Sequence, residues 1–352
     1  MKILHITATH LNQTGGVPVV LRNLIEEQNK LPNITSALLS LRANTDMIDN
    51  QKFFFREKQE WSVFIEGFAP DVVIIHSFFY FEYIIIAAIL STKKIPYYIE
   101  PHGSFGKAAM QKSKVKKAIA NNTVFRKLIK NAHGYVFLSN EEMEDSIYRK
   151  KHDIVIPNGI ISADLHNSSH DNSLYFIGRY DINHKGLDAL FEALKILDEK
   201  NISLKIDLYG TGSEEEIQYI NDRIKQLKTV KCINHGPLYG DIKTQELEKH
   251  GIMILTSRYE GFPMTVLEAW QMGIPCIVTP GTNVSIITKK ENIGWVADFD
   301  PPSIADTIIK ALEMYKVDMN GYINRTIECV NKYFLWSRIA EQSILALKNE
   351  LQ

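Results

Sequence analysis

Short apolar runs alternate with amphipathic stretches along this chain, and the alternation stops once and then begins again. In the first half the runs are Ile3–Ile6, Ser36–Leu39, Val72–Ile75, Tyr97–Glu100, Tyr135–Leu138 and Ile154–Ile156. Helical stretches such as Pro18–Lys30 and Asn140–Lys150 lie between them. Apolar strands that alternate with helices predict a parallel sheet covered on both faces. The polar run from His166 to Ser173 buries little apolar surface and reads as a linker. The pattern restarts with strand Leu174–Ile177, helix Leu187–Lys200 and strand Leu204–Tyr209, and continues to Val296.

The expected fold class is therefore α/β, with two Rossmann-like domains facing across a central cleft. Residues 1–165 form the first, 166–173 the linker and 174–332 the second, and 333–352 make a final amphipathic helix. A length of 352 residues gives room for about two cores. The formal net charge of −1 gives no drive toward nucleic acid, and no nucleic-acid partner is expected. Cys232, Cys276 and Cys329 stand far apart without a Cys-x-x-Cys pair, which argues against a zinc or disulfide framework and fits a reducing compartment. The start Met1–Ile6 turns polar too soon for a signal peptide and reads as a first strand. His76 and Glu82 interrupt the apolar region Asp71–Leu90, and a carboxylate at mid-bilayer costs about 2.5–3.5 kcal/mol. No membrane span and a cytoplasmic location are expected.

The segment Ser257–Ala269 carries the densest chemistry. Strand Ile252–Leu255 precedes it, Pro263 suits a helix start, and Gly273 suits the helix end. Glu260 falls on the strand-to-helix loop and Glu268 within the helix. Free N–H groups at a helix start suit a phosphate, and ionised carboxylates accept from sugar hydroxyls. Taken alone, the two glutamates read as a solvated helix start. Gly178–Arg179–Tyr180 and Lys185–Gly186 place two cations on one strand-to-helix loop, as donors for a phosphate or as plain surface charges. Gly15 and Gly16 precede a helix and allow close backbone approach to a phosphate, or simply a tight turn. No Gly-x-Gly-x-x-Gly occurs there, which argues against a dinucleotide dehydrogenase. His102, in Pro101–His102–Gly103, ends a strand where ligands bind in open α/β sheets, although a lone histidine is often structural. His76 also follows a strand and receives no role.

In order and spacing these motifs resemble those of the retaining glycosyltransferases of family four, the glycosyl transferases group 1, which have the GT-B fold. The resemblance spans nearly the whole chain. It implies that Arg179 and Lys185 hold a diphosphate, that Glu260 contacts the donor sugar and Glu268 the ribose, and that His102 lies beside the transferred sugar. Gly15, Gly16, Leu238, Gly261, Phe262, Met264 and Thr265 are implied as further donor contacts, Leu238 through its backbone near the base. The final helix is implied to cross back onto the N-terminal domain, while the sequence alone also allows it to cap its own. Pro157–Asn158–Gly159–Ile160 resembles the family's crossover segment without the aspartate that commonly follows, and Thr279–Asn283 departs from the frequent Gly-Gly.

The activity so implied is a retaining, metal-independent, hexosyltransferase-type transfer from a nucleotide sugar, with UDP as the expected nucleotide and no cofactor. No Asp-x-Asp motif occurs, and no metal ligands are expected, since Arg179 and Lys185 take a metal's place. A saccharide or a polyprenyl-diphosphate-linked saccharide is the expected acceptor, in bacterial surface polysaccharide synthesis. Eight basic and no acidic residues lie between Lys107 and Lys130, and Phe78–Phe81 is an aromatic loop. Together they suit an anionic membrane surface at the inner face of the membrane, or a solvated helix over an aromatic core. A UDP-sugar epimerase of the same fold and a catalytically silent GT-B scaffold are the alternatives.

Overall fold

The computed structural model describes residues 1–9, 16–43, 48–111, 114–162 and 171–351. Gly15, Lys112 and most of the linker 166–173 lie outside these residues. The chain divides into two compact units, Met1–Ile161 with Leu335–Gln352, and Ser162–Phe334.

In the first unit, β1 (Lys2–Thr7) leads to α1 (Gly16–Gln28), β2 (Thr35–Ser40), β3 (Phe53–Phe55) and α2 (Trp61–Phe68). Then come β4 (Val72–His76), α3 (Glu82–Thr92) and β5 (Tyr97–Glu100). Three short helices follow, α4 (Lys107–Gln111), α5 (Lys114–Asn122) and α6 (Arg126–Asn131), before β6 (Gly134–Phe137), α7 (Asn140–Asp145) and β7 (Ile154–Val155). The sheet order is β3-β2-β1-β4-β5-β6-β7, with every pair parallel. Strands such as Val72–His76 are buried along their whole length, because helices cover both faces.

Two expectations shift here. β3 has no counterpart among the apolar runs: its three residues are too few for a period to show, and Phe53 is held by packing on Leu21, Ile25 and Leu38. The helix expected over Asn140–Lys150 stops at Asp145. Ser146 is extended and bridges to Gly106, and the Ile147 N–H donates to the Phe105 carbonyl, so tertiary partners replace the helical ones.

The second unit repeats the plan. β8 (Leu174–Ile177), α8 (Leu187–Glu199), β9 (Lys205–Tyr209), α9 (Glu214–Lys225) and β10 (Lys231–Gly236) precede α10 (Gly240–Leu247), β11 (Ile252–Leu255) and α11 (Met264–Gln271). β12 (Cys276–Val278), α12 (Ser285–Lys290), β13 (Gly294–Val296), α13 (Pro301–Val317) and α14 (Met319–Tyr333) complete it. Its order is β10-β9-β8-β11-β12-β13, again all parallel.

The last helix, α15 (Trp336–Leu351), belongs to the first unit and packs on α1. The Trp336 N–H donates to the Ile160 carbonyl at 3.1 Å, and Trp336, Ile339, Ile344 and Leu347 are buried. Among the described residues no helix is long and apolar enough to cross a membrane. The Phe78–Phe81 loop is mostly core: Phe78 is buried edge-on against Phe105, and only Phe81 is well exposed, at 68%.

Candidate active site

In the second unit β8 lies between β9 and β11, so the chain leaves β8 and β11 in opposite directions along the sheet. Such a switch point opens a crevice beyond the carboxyl ends of the two strands. The loop after β8 carries Arg179, His184 and Lys185, and the loop after β11 carries Ser257, Tyr259 and Glu260. Lys185 Nζ lies 2.6 Å from Glu260 Oε1, and both side chains are largely buried. Ser257 Oγ donates to the same oxygen at 2.6 Å. A single oxygen of Glu260 thus receives two charge-assisted hydrogen bonds, one from the lysine cation and one from a hydroxyl.

The backbone beneath this pair leaves little freedom. Gly186 has φ 65°, and a Cβ there would collide with the Thr256 carbonyl oxygen. Thr256 Oγ1 donates to the carbonyls of Lys185 and Gly186, both at 3.1 Å. His184 stacks on the Tyr259 ring with centroids 4.2 Å apart, and its Nε2–H donates to the Tyr259 carbonyl at 2.7 Å. Burial lowers the His184 imidazole below its ordinary range, which keeps that donor tautomer neutral. Asn283, itself left-handed at φ 60°, donates to the carbonyls of Glu260 and Gly261 at 2.6 and 3.2 Å.

Pro263 is the residue before α11 rather than its first residue. It has no side-chain acceptor, so the first-turn N–H groups of Met264 and Thr265 gain no side-chain cap. Glu268 sits one turn further in, with Oε2 2.7 Å from Lys243 Nζ of α10. Leu238 is half-buried on the loop between β10 and α10. Arg179 is two-thirds exposed, with its guanidinium 3.6 Å from Asp181.

The structure therefore brings Lys185 and Glu260 into contact, leaves Arg179 reaching outward, and gives Glu268 its own cation. His184, Ser257 and Asn283 were missed in the sequence. His184 directly precedes Lys185, and Ser257 stands three residues before Glu260, but neither spacing marks a motif.

His102 and Gly16 belong to the first unit. Gly16 opens α1. His102 follows β5, and the parallel register sets its neighbour Glu100 beside His76 at the end of β4. His76 Nδ1 lies 3.2 Å from Glu100 Oε2 and 3.3 Å from His102 Nε2, and His102 Nε2 lies 3.4 Å from Glu100 Oε1. Both strands turn away through left-handed residues other than glycine, Ser77 at φ 70° and His102 at φ 48°. Burial pushes the His102 imidazole down to about 4 and holds His76 well below the ordinary imidazole range, while it pushes the Glu100 carboxyl well up. In the sequence Glu100 marks no motif and His76 carries no role. The signal lay in two polar residues ending adjacent apolar strands.

Residues 171–314 match the family described as glycosyl transferases group 1. An uncharacterized glycosyltransferase of Methanocaldococcus jannaschii is 29% identical over 182 residues, which are 51% of this chain and 45% of that protein. The alignment thus spans less than half the length of that relative. A solved structure described as Anabaena HepE in complex with UDP superposes with a TM-score of 0.75 at 14% identity, covering 99% of this chain and 100% of that one. The apo lipopolysaccharide outer core galactosyltransferase WaaB gives a TM-score of 0.68 at 19% identity, covering 98% and 99%. The second unit thus resembles the glycosyl transferases group 1 over residues 171–314, and the whole chain shares the GT-B fold of those two structures.

Proposed function

We propose that this chain is a retaining glycosyltransferase that moves a sugar from a UDP-sugar to a saccharide or lipid-linked saccharide acceptor. The observation that carries this reading is the Lys185–Glu260 pair at the β8/β11 switch point, with Arg179 on the same loop. The UDP held by the Anabaena neighbour and the lipopolysaccharide named for WaaB support the choice of donor and acceptor class.

In this reading the diphosphate meets Arg179, Lys185 and the first-turn N–H groups of α11, aided by the Gly15–Gly16 loop. Glu260 accepts from donor-sugar hydroxyls, Glu268 accepts from the ribose, and the backbone near Leu238 faces the base. His102 approaches the transferred sugar. The bond from the anomeric carbon to the phosphate oxygen breaks, and positive charge develops on the sugar ring. The acceptor oxygen then bonds to the same face of that carbon, and its proton passes to the departing phosphate. No metal is needed on the diphosphate, because preorganised cations take the growing charge. The basic segment 107–130 and the exposed Phe81 would hold the protein at an anionic membrane surface while it meets a lipid-linked acceptor.

The test is a screen of UDP-sugars against saccharide acceptors with product analysis. A new glycosidic bond of retained configuration supports the reading. An isomerised sugar nucleotide points to an epimerase, and no binding of UDP points to a silent scaffold.

A further inference from the structure

A line of buried polar side chains crosses the first unit and ends at the carboxyl edge of its sheet. The register sets Ser36, His5, His76 and Glu100 on one face, from β2 through β1 and β4 to β5. Gln28 of α1 and Ser343 of α15 close the line from above. All six of these side chains are buried, and the chemistry assigned to the second unit uses none of them.

The direction of every proton along the line follows from its far end. Ser343 Oγ donates to the Ala340 carbonyl at 2.7 Å, so it accepts from Gln28 Nε2 at 2.9 Å. Gln28 Oε1 is therefore the acceptor, taking Ser36 Oγ–H at 2.7 Å and His5 Nε2–H at 3.1 Å. A neutral His5 then offers a bare lone pair at Nδ1, and His76 Nε2–H donates to it at 2.8 Å. That leaves His76 Nδ1 without a proton, facing a Glu100 oxygen at 3.2 Å. Two acceptors at that distance repel unless something positive joins them. His102 Nε2 lies 3.3 Å from His76 Nδ1 and 3.4 Å from the other Glu100 oxygen, so two imidazole nitrogens and the two oxygens of one carboxyl group converge within 3.2–3.4 Å along those pairs. Ligands about 2.0–2.1 Å from a tetrahedral zinc stand about 3.3 Å from one another.

We propose that His76 Nδ1, the Glu100 carboxylate and His102 Nε2 bind a divalent transition metal ion, zinc being the best match, with His5 and Gln28 orienting His76 from behind. Two imidazoles and one carboxylate are a zinc donor set that leaves a fourth position for water or a substrate oxygen. The hydrogen bond from His76 Nε2–H to His5 is the outer support that metal-bound imidazoles ordinarily have. The site goes beyond the transferase reading: it lies in the first unit, while the diphosphate cations lie in the second.

The experiment uses the full chain, stripped with a chelator and titrated with zinc by calorimetry, with bound metal counted by mass spectrometry after dialysis. The wild type should retain one equivalent that both Glu100→Gln and His76→Ala lose. His5→Ala should weaken it about 10–100-fold through the outer shell. Cobalt loading of the wild type needs no variant to fold, and visible absorption of the tetrahedral type is expected. Should the wild type retain no metal, or should the two ligand variants keep the same equivalent while their circular dichroism is native, the proposal is overturned. A proton on Glu100 would then join the two acceptors instead.

Discussion

Lys185 Nζ stands 2.6 Å from Glu260 Oε1, an ion pair that joins the loops after β8 and β11 beside the His184–Tyr259 and Thr256–Lys185 contacts. Both side chains are mostly withdrawn from water, and removal of either strands the other's charge. Lys185→Ala and Glu260→Ala should each lower kcat/KM about 10²–10³-fold. The effect of Lys185→Ala should fall mainly on kcat, since its charge matters most as the diphosphate departs. Initial rates with the UDP-sugar substrate check this, with a thermal melt to verify folding. Full activity in both variants would remove the assignment.

Glu268 is paired with Lys243 and sits one turn into α11, away from the bond that breaks in the proposed reaction. Glu268→Ala should therefore weaken UDP binding about tenfold, in line with the loss of a hydrogen bond to a charged group. KM should rise while kcat stays near the wild-type value. Calorimetry with UDP gives the first number, and a kcat loss larger than the KM change would count against a ribose contact.

Gly186 packs its α-carbon on the Thr256 carbonyl in a left-handed conformation. Gly186→Ala adds strain of about 1–2 kcal/mol for the conformation alone, and the collision adds to it. The unfolding transition of the second unit should drop by at least about 2–4 °C. Activity should fall too, because the neighbouring Lys185 shifts with the loop. Differential scanning calorimetry would show an unchanged transition if the backbone yields freely.

Glu142 is buried and accepts from the N–H groups of Gly103 and Leu138 at 2.5 and 2.6 Å. Burial nonetheless pushes its carboxyl up to about 7. The unfolded chain releases this proton near pH ~4.3. Between those values the folded chain holds the extra proton, so its stability falls as pH rises through the window and levels off above it. The difference in stability between wild type and Glu142→Gln should therefore shrink by roughly 3 kcal/mol from pH ~4 to pH ~8. Urea denaturation at the two pH values measures it, and a pH-independent difference would show that Glu142 titrates normally.

Phe81 is exposed beside the basic segment, and Ile119 of α5 is 60% exposed. Binding to anionic phospholipid vesicles is expected at low salt and should weaken as salt rises. Phe81→Ser should reduce it several-fold. Sedimentation with vesicles decides the matter: protein left in the supernatant at low salt means that the face is merely solvated.

Much of the architecture could be read from the order of residues alone. Strands buried on both faces must be nearly continuous apolar runs, so Val72–Ile75 and Ile252–Leu255 announce themselves, and their alternation with helices sets a parallel sheet. The loops after β8 and β11 were legible for the same reason, since charged residues directly after such strands fall at the carboxyl edge. β3 was not legible, because three residues show no period and packing on α1 decides them.

What only the tertiary structure decided is which residues meet. Sequence spacing left the last helix free to cap either unit, and the buried face of Trp336–Leu351 against α1 resolves that choice. Lys185 and Glu260 are 75 positions apart, His5 and His76 are 71 apart, and Gln28 and Ser343 are 315 apart. Local pattern reports how a segment folds because its causes lie within a few residues. A pair or triangle of polar groups owes its distances to strand order and register, which no local pattern contains.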